Sequence, residues 1–230
     1  MALRRAGLQA RYNKEYRRYK RARDKLVEKV GSALHDYSEQ YEIRPIVGLE
    51  SSVKEFDSFC EKARELERQG EVKSIDDCFE KIKDIARARI VCQTVEDAQR
   101  IRALLKSMED FLFLDANVQD HNPAPKTGYR AIHLDLEIDA QVGKSSVATP
   151  CELQIVTALQ HAWGLYTHRD FYKGKDVPPL VATLMRELSD LLHVADRFAG
   201  HLIGEVSQQP AKTRSRAGRG AAGPRTTSAR

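Results

Sequence analysis

Residues 129–139 read Tyr-Arg-Ala-Ile-His-Leu-Asp-Leu-Glu-Ile-Asp. A period of two over eleven residues fits only a β-strand, with Arg130, Ile132, Leu134, Leu136 and Ile138 on one side and Tyr129, Ala131, His133, Asp135 and Glu137 on the other. Such a strand belongs to a sheet that packs one face and keeps the other polar. The chain around it must therefore supply a cover for the apolar face and a use for the polar one.

The cover is expected from helices at both ends. Residues 8–40 lack proline, and Tyr12, Tyr16, Tyr19, Leu26, Val30 and Leu34 recur at helical steps, which predicts one amphipathic helix with a break near Gly31. Further helices are expected over 54–68 and after Ser74, the latter capped by Asp76. The period then changes: Arg89–Cys92 reads as a strand, Val95–Met108 as a helix, Phe111–Val118 and Pro150–Thr157 as strands, and 158–172 and 179–205 as helices. This order predicts an α+β fold with a mixed sheet of about four or five strands, flanked by N- and C-terminal helices. The segments are a basic helix over 1–44, a core over 45–175, a helix over 176–206 and a basic tail over 207–230.

Of the formal charge of +5, six basic residues from Lys212 to Arg230 contribute +6, so the remainder of the chain sums to −1. The other basic concentration, Arg11, Lys14, Arg17, Arg18, Lys20, Arg21, Arg23 and Lys25, either binds a polyanion or forms a solvated helix face. No apolar run approaches the roughly 18 residues needed to span a bilayer, and no apolar stretch follows the early arginines, so a cytoplasmic protein without a membrane segment is expected. Cys60, Cys78, Cys92 and Cys151 are far apart and are expected to be reduced thiols.

Chemistry is concentrated in three places. The Lys126-Thr-Gly128 turn leads into Tyr129 and His133, giving a cation for a phosphate, a flat ring for a base and an imidazole on one polar face. Glu152 and Gln154 share a face of the next strand, and Asp84 precedes the apolar run Ile90-Val91-Cys92, where a carboxylate can be held for magnesium. His161 and His168 lie seven residues apart, too far for the i, i+4 pair of a zinc helix, which favours contact with phosphate or substrate. Trp163 between them is read as core.

In order, Lys126-Thr-Gly-Tyr-Arg-Ala-Ile-His133, Glu152-Leu-Gln-Ile155, Trp163 and His168-Arg-Asp-Phe-Tyr-Lys173 resemble the synthetase domain of RelA/SpoT proteins. Asp84-Ile-Ala-Arg-Ala-Arg89-Ile-Val91 is similar to the family strand that carries a magnesium aspartate, and Val53-Lys54 with Ser58 and Lys62 is similar to the ATP-phosphate segment. The resemblance spans roughly 45–175 and implies a nucleotidyltransferase-like synthetase fold in a small stand-alone member. It implies Mg2+ as cofactor and ATP as pyrophosphate donor. Asp84 and Glu152 would hold the metal, with Glu152 also helping to deprotonate the acceptor hydroxyl, and Lys54 and Lys62 would grip the ATP phosphates. Tyr129 would stack on the acceptor base, with Lys126, His133, Gln154, His168 and Lys173 lining the acceptor or the transferred phosphates.

Four positions depart from the family pattern. Ser52 replaces an arginine that contacts adenine, Val156 an arginine after the glutamine motif, and Thr167 a glutamate before the helix histidine, while Lys126 lies three rather than four residues before Tyr129. The acceptor stays open between GDP or GTP, giving (p)ppGpp, and the 3′ end of tRNA, which would make the protein a toxin with an antitoxin partner. An inactive nucleotide-sensing module and a homo-oligomer built on the terminal helices are further expectations. His35-Asp36 lacks the additional histidine and aspartate of a metal-dependent hydrolase.

Overall fold

The computed structural model describes residues 3–41, 46–109, 111–114, 119–121, 128–168 and 177–208. Lys126, Lys173 and the tail beyond 208 lie outside these, and of His168 only the backbone is described. One sheet organises the molecule. Its strands are β1 (Ile46–Val53), β2 (Ala86–Cys92), β3 (Leu112–Phe113), β4 (Gln119–Asp120), β5 (Ile132–Val142) and β6 (Ser145–Thr157). The order is β1-β2-β6-β5-β3, with β4 pairing farther along the same edge of β5, so the sheet is five strands wide. β2 and β6 are parallel and the other pairs antiparallel.

The alternation of β5 has the expected meaning. Ile132, Leu134, Leu136, Ile138 and Ala140 are buried, together with Cys151, Leu153 and Ile155 of β6 and Ala86, Ala88, Ile90 and Cys92 of β2. They form one core with α1 (Arg5–Tyr41), through Leu8, Tyr12, Tyr19, Leu26, Val30 and Leu34, and with α4 (Val95–Ser107), through Ala98, Ile101 and Leu105. α2 (Phe56–Arg68) and α3 (Ile75–Lys81) close one end with Phe59, Ala63, Cys78 and Phe79. On the opposite face Val91, Ala131 and Val156 are covered near α5 (Ala158–His168) and α6 (Pro179–Gln208). The rest of that face forms the floor of a cleft.

Several local expectations are corrected. α1 runs unbroken through Gly31, because Val30 and Leu34 are both in the core and their packing outweighs the roughly 1 kcal/mol helix cost of one glycine. Tyr16, read as part of its buried stripe, is 45% exposed. The cap of α3 is Ser74, not Asp76: its hydroxyl accepts from the Asp77 N–H at 3.1 Å and Asp77 returns a bond to the Ser74 N–H at 3.0 Å. β1 lies in a segment for which the sequence pattern predicts neither helix nor strand. The ladder of β5 begins at Ile132, leaving Tyr129 just ahead of it. The four cysteines are free and buried, and burial pushes the Cys92 and Cys151 thiols up to about 12. No helix among the described residues is long and apolar enough to cross a membrane.

α6 is joined to the sheet by a buried polar contact. The Thr157 hydroxyl donates to Asp196 Oδ2 at 2.7 Å, while Oδ1 has no hydrogen-bond partner among the described residues. Burial pushes the Asp196 carboxyl up to about 6 from its ordinary 3.8, against the Thr157 bond and with help from Glu96. The folded state then holds a proton that the unfolded state releases, so this group favours folding below about pH 4 and that contribution is lost as pH rises to about 6. Asp84, whose carboxyl is held low, acts in the other direction and only at lower pH. Asp196→Asn is therefore expected to gain melting temperature relative to wild type between pH 4.5 and 7.5. A few degrees is the scale, since roughly 2–4 °C accompanies each kcal/mol in a chain of this size. Parallel melting curves against pH would contradict it.

Candidate active site

The cleft has a volume of about 1300 Å³ and is built in two halves that meet along the parallel β2–β6 pair. On the first half Asp84 sits two residues before β2, between two lysines. Lys54 donates to its Oδ2 at 2.7 Å and Lys62 to its Oδ1 at 2.9 Å. Lys54 follows β1 directly, and its backbone is fixed by its N–H to the Ile85 carbonyl at 2.7 Å and by the Tyr12 hydroxyl, which donates to its carbonyl. Burial alone would push the Asp84 carboxyl up, but Lys62 and Lys54 outweigh it and hold the group at about 2. Asp84 is thus ionised throughout the physiological range.

The second half is a chain of hydrogen bonds across the β5–β6 hairpin. Because His133 is paired with Gln154 and Asp135 with Glu152, their side chains stand together on the polar face. His133 Nδ1 lies 3.0 Å from Glu152 Oε2, and the Tyr129 hydroxyl lies 2.7 Å from His133 Nε2. The geometry suits donation from Nδ1 to the carboxylate and a hydrogen bond between Nε2 and the phenol. Gln154 donates to Glu152 Oε1 at 2.6 Å. Burial opposes ionisation of Glu152, yet the bond and charge of His133 prevail and lower its pKa; the Asp84 charge, in range across the cleft, pushes the other way. Both carboxylates line the same cleft.

Arg87, Arg89 and His161 also line the floor; of these, the sequence reading gave a role only to His161. Arg89 donates from Nε and Nη2 to Gln154 Oε1 at 3.0 and 2.8 Å, and its Nη1 lies 3.2 Å from His161 Nδ1. His161 Nε2 is 3.4 Å from Glu50. Arg89 therefore fixes the Gln154 amide with its nitrogen toward Glu152. The alternation Ala86-Arg-Ala-Arg-Ile90 carried a signal for these arginines, since it places Arg87 and Arg89 on one face. Trp163 is buried, as expected of core, yet it also edges the cleft, 6.1 Å from the Tyr129 ring. Thr167 is turned into its own helix, donating to the Trp163 carbonyl at 2.9 Å.

No group of three or more His, Cys, Asp or Glu suited to a metal occurs among the described residues. The two carboxylates nevertheless fit magnesium, which takes one or two protein carboxylates and completes its shell with phosphate oxygens and water. Lys54 and Lys62 place cationic charge beside Asp84.

The profile of the region found in RelA / SpoT proteins matches residues 51–177, more than half of the chain. The chain belongs to the RelA/SpoT family. Among relatives of this RelA/SpoT member, GTP pyrophosphokinase YwaC of Bacillus subtilis (strain 168) is 31% identical over 180 residues, covering 77% of this chain and 83% of that one. GTP pyrophosphokinase YjbM of the same organism is 29% identical over 182 residues, covering 77% and 81%. The structure of small alarmone synthetase 1 from Bacillus subtilis bound to its product pppGpp superimposes with a TM-score of 0.76 at 26% identity, over 86% of this chain and 99% of that one. The fold is that of the small synthetases.

Proposed function

We propose that this chain transfers the β,γ-pyrophosphate of ATP to the 3′ hydroxyl of GDP or GTP, within a synthetase core of residues 45–175. It is a pyrophosphotransferase, and the two relatives named GTP pyrophosphokinases support guanine nucleotide as acceptor. The observation that carries the reading is the pair Asp84 and Glu152 on one cleft, each ionised and each braced by cationic or hydrogen-bonding side chains.

Phosphoryl transfer requires alignment and charge neutralisation more than covalent help. Magnesium held by Asp84 and Glu152 would supply Lewis-acid neutralisation of the phosphate oxygens. Lys54 and Lys62 bind the donor phosphates, exchanging their contact with Asp84 for phosphate oxygens. Tyr129 stacks on the acceptor base, and Lys126, Gln154, His168 and Lys173 line the acceptor or the moving phosphates. Glu152, with its pKa lowered, orients the 3′ hydroxyl and takes its proton only as the new O–P bond forms. His133 holds the Glu152 carboxylate in place.

The test is incubation of the full chain with Mg2+, labelled ATP and either GDP or GTP. Equal yields of AMP and a guanosine 3′-pyrophosphate are expected. AMP formed only when tRNA is added, with loss of its capacity for aminoacylation, would move the acceptor to the tRNA 3′ end. The exposed Lys14, Arg17, Lys20 and Arg21 on α1 favour that arm. No AMP with any acceptor would leave an inactive module.

A further inference from the structure

Lys54, Lys62, Arg87 and Arg89 are among the cationic side chains that line the cleft, and Lys54, Lys62 and Arg89 are occupied. Lys54 and Lys62 are paired with Asp84. Arg89 spends its guanidinium on Gln154, His161 and Glu50. Arg87 differs. Among the described residues its recorded contact is a single hydrogen bond from Nε to Ser52 Oγ at 2.8 Å. Arg87 is half-buried and lines the cleft together with Lys54, Lys62 and Asp84.

The register explains where those amines lie. Arg87 is paired with Ser52 on β1 and with Glu152 on β6, and the adjacent pair, Val53 with Ala86, leads directly to Lys54 and toward Asp84. Arg87 therefore stands in the same row as the catalytic carboxylate and beside the lysine–aspartate cluster. Ser52 is small enough to leave room above it, and its hydroxyl takes the one guanidinium proton that points back along the side chain. The two outer amines remain as a fixed fork, the geometry that matches two oxygens of a phosphate.

We infer that Arg87, anchored on Ser52, is a donor-side phosphate-binding residue that clamps the polyphosphate of ATP from the β1 side of the cleft. This rests on the proposed pyrophosphate transfer and adds to it a residue to which the sequence reading gave no role. Ser52 acts as a positioning residue for Arg87.

The experiment uses the full chain and measures binding of a non-hydrolysable ATP analogue with Mg2+, competition by inorganic tripolyphosphate and by adenosine, and KM for donor and acceptor separately. Arg87→Gln is expected to weaken the ATP analogue and tripolyphosphate by at least about tenfold, the scale of one charge-assisted hydrogen bond, with adenosine competition and acceptor KM unchanged. Arg87→Lys restores the charge but not the fork and should recover only part of the loss. Ser52→Ala keeps the cation, frees its orientation and should cost the donor a few-fold, about 2–5, because the lost bond acts on the phosphates only through the placement of Arg87. Melting curves accompany each variant, and where Arg87→Gln does not fold, the other two decide. A folded Arg87→Gln with wild-type donor affinity overturns the inference. A loss seen with adenosine but not tripolyphosphate also overturns it, in favour of base stacking. Wild-type protein that binds neither ATP analogue nor tripolyphosphate refutes pyrophosphate transfer itself.

Discussion

Replacing Glu152 by glutamine is expected to cut the turnover of pyrophosphate transfer by about 10²–10³, the usual cost of deleting one preorganised electrostatic group from a transition state. The substitution is nearly isosteric. Its carbonyl oxygen can still accept from His133, while its amide nitrogen then faces the Gln154 amide nitrogen, so the β5–β6 ladder should persist with some loss of melting temperature. What disappears is the negative charge facing Asp84 across the cleft. Donor binding, proposed above to draw on Lys54 and Lys62, should fall far less than turnover, because those lysines contact Asp84 rather than Glu152. Steady-state kinetics at saturating ATP and acceptor, beside a melting curve, make the measurement. A folded Glu152→Gln that keeps more than a tenth of wild-type turnover would show that the carboxylate neither binds metal nor serves the hydroxyl.

The second large effect is expected at Tyr129. Truncation to alanine should remove about 1–3 kcal/mol of acceptor affinity if the ring carries a base, a loss of roughly 5–150-fold. ATP binding should stay within about twofold, since the donor cations lie on the other half of the cleft. The ring also touches Trp163, His121 and His133, so some loss of melting temperature accompanies the truncation. Tyr129→Phe separates the two parts of the residue. It keeps the stacking face and loses the hydroxyl that bonds His133 Nε2, so acceptor affinity should hold while turnover drops modestly. Equal weakening of donor and acceptor in Tyr129→Ala would assign the ring to packing alone.

How far the sequence could carry this reading depended on the range of each signal. The strand at 132–142 was legible because burial on one face writes a period of two into a single stretch of chain. Asp84, Lys54 and Lys62 were readable as motif residues, but their mutual contact was not, since thirty residues and two helices separate Lys54 from Asp84. β1 was missed altogether. Its sequence Ile-Val-Gly-Leu-Glu-Ser-Ser-Val has four residues of low strand propensity, and pairing with β2 rather than local preference makes it a strand. The Tyr129–His133–Glu152–Gln154–Arg89 chain was hidden for a similar reason: only the registers of β5–β6 and β2–β6 decide that these polar groups meet. Thr167 and Ser52, noticed as departures, differ in kind. Thr167 satisfies its own helix, whereas Ser52 holds Arg87.

The parallel pairing of β2 with β6 sets the order in which this site can come into being. β5 and β6 are joined by a two-residue turn at Gly143, whose φ of 64° suits a tight hairpin, so their ladder closes locally and early. β1 and β2 form a second antiparallel unit with α2 and α3 between them. Glu152, His133 and Gln154 belong to the first unit, and Lys54, Lys62 and Asp84 to the second. Joining them closes a loop from residue 84 to residue 152, a non-local contact whose entropy cost is met only when the two units dock. A chain emerging from the ribosome therefore holds one carboxylate without the other until β6 has been made, and catalytic competence arrives in a single step with the closing of the sheet.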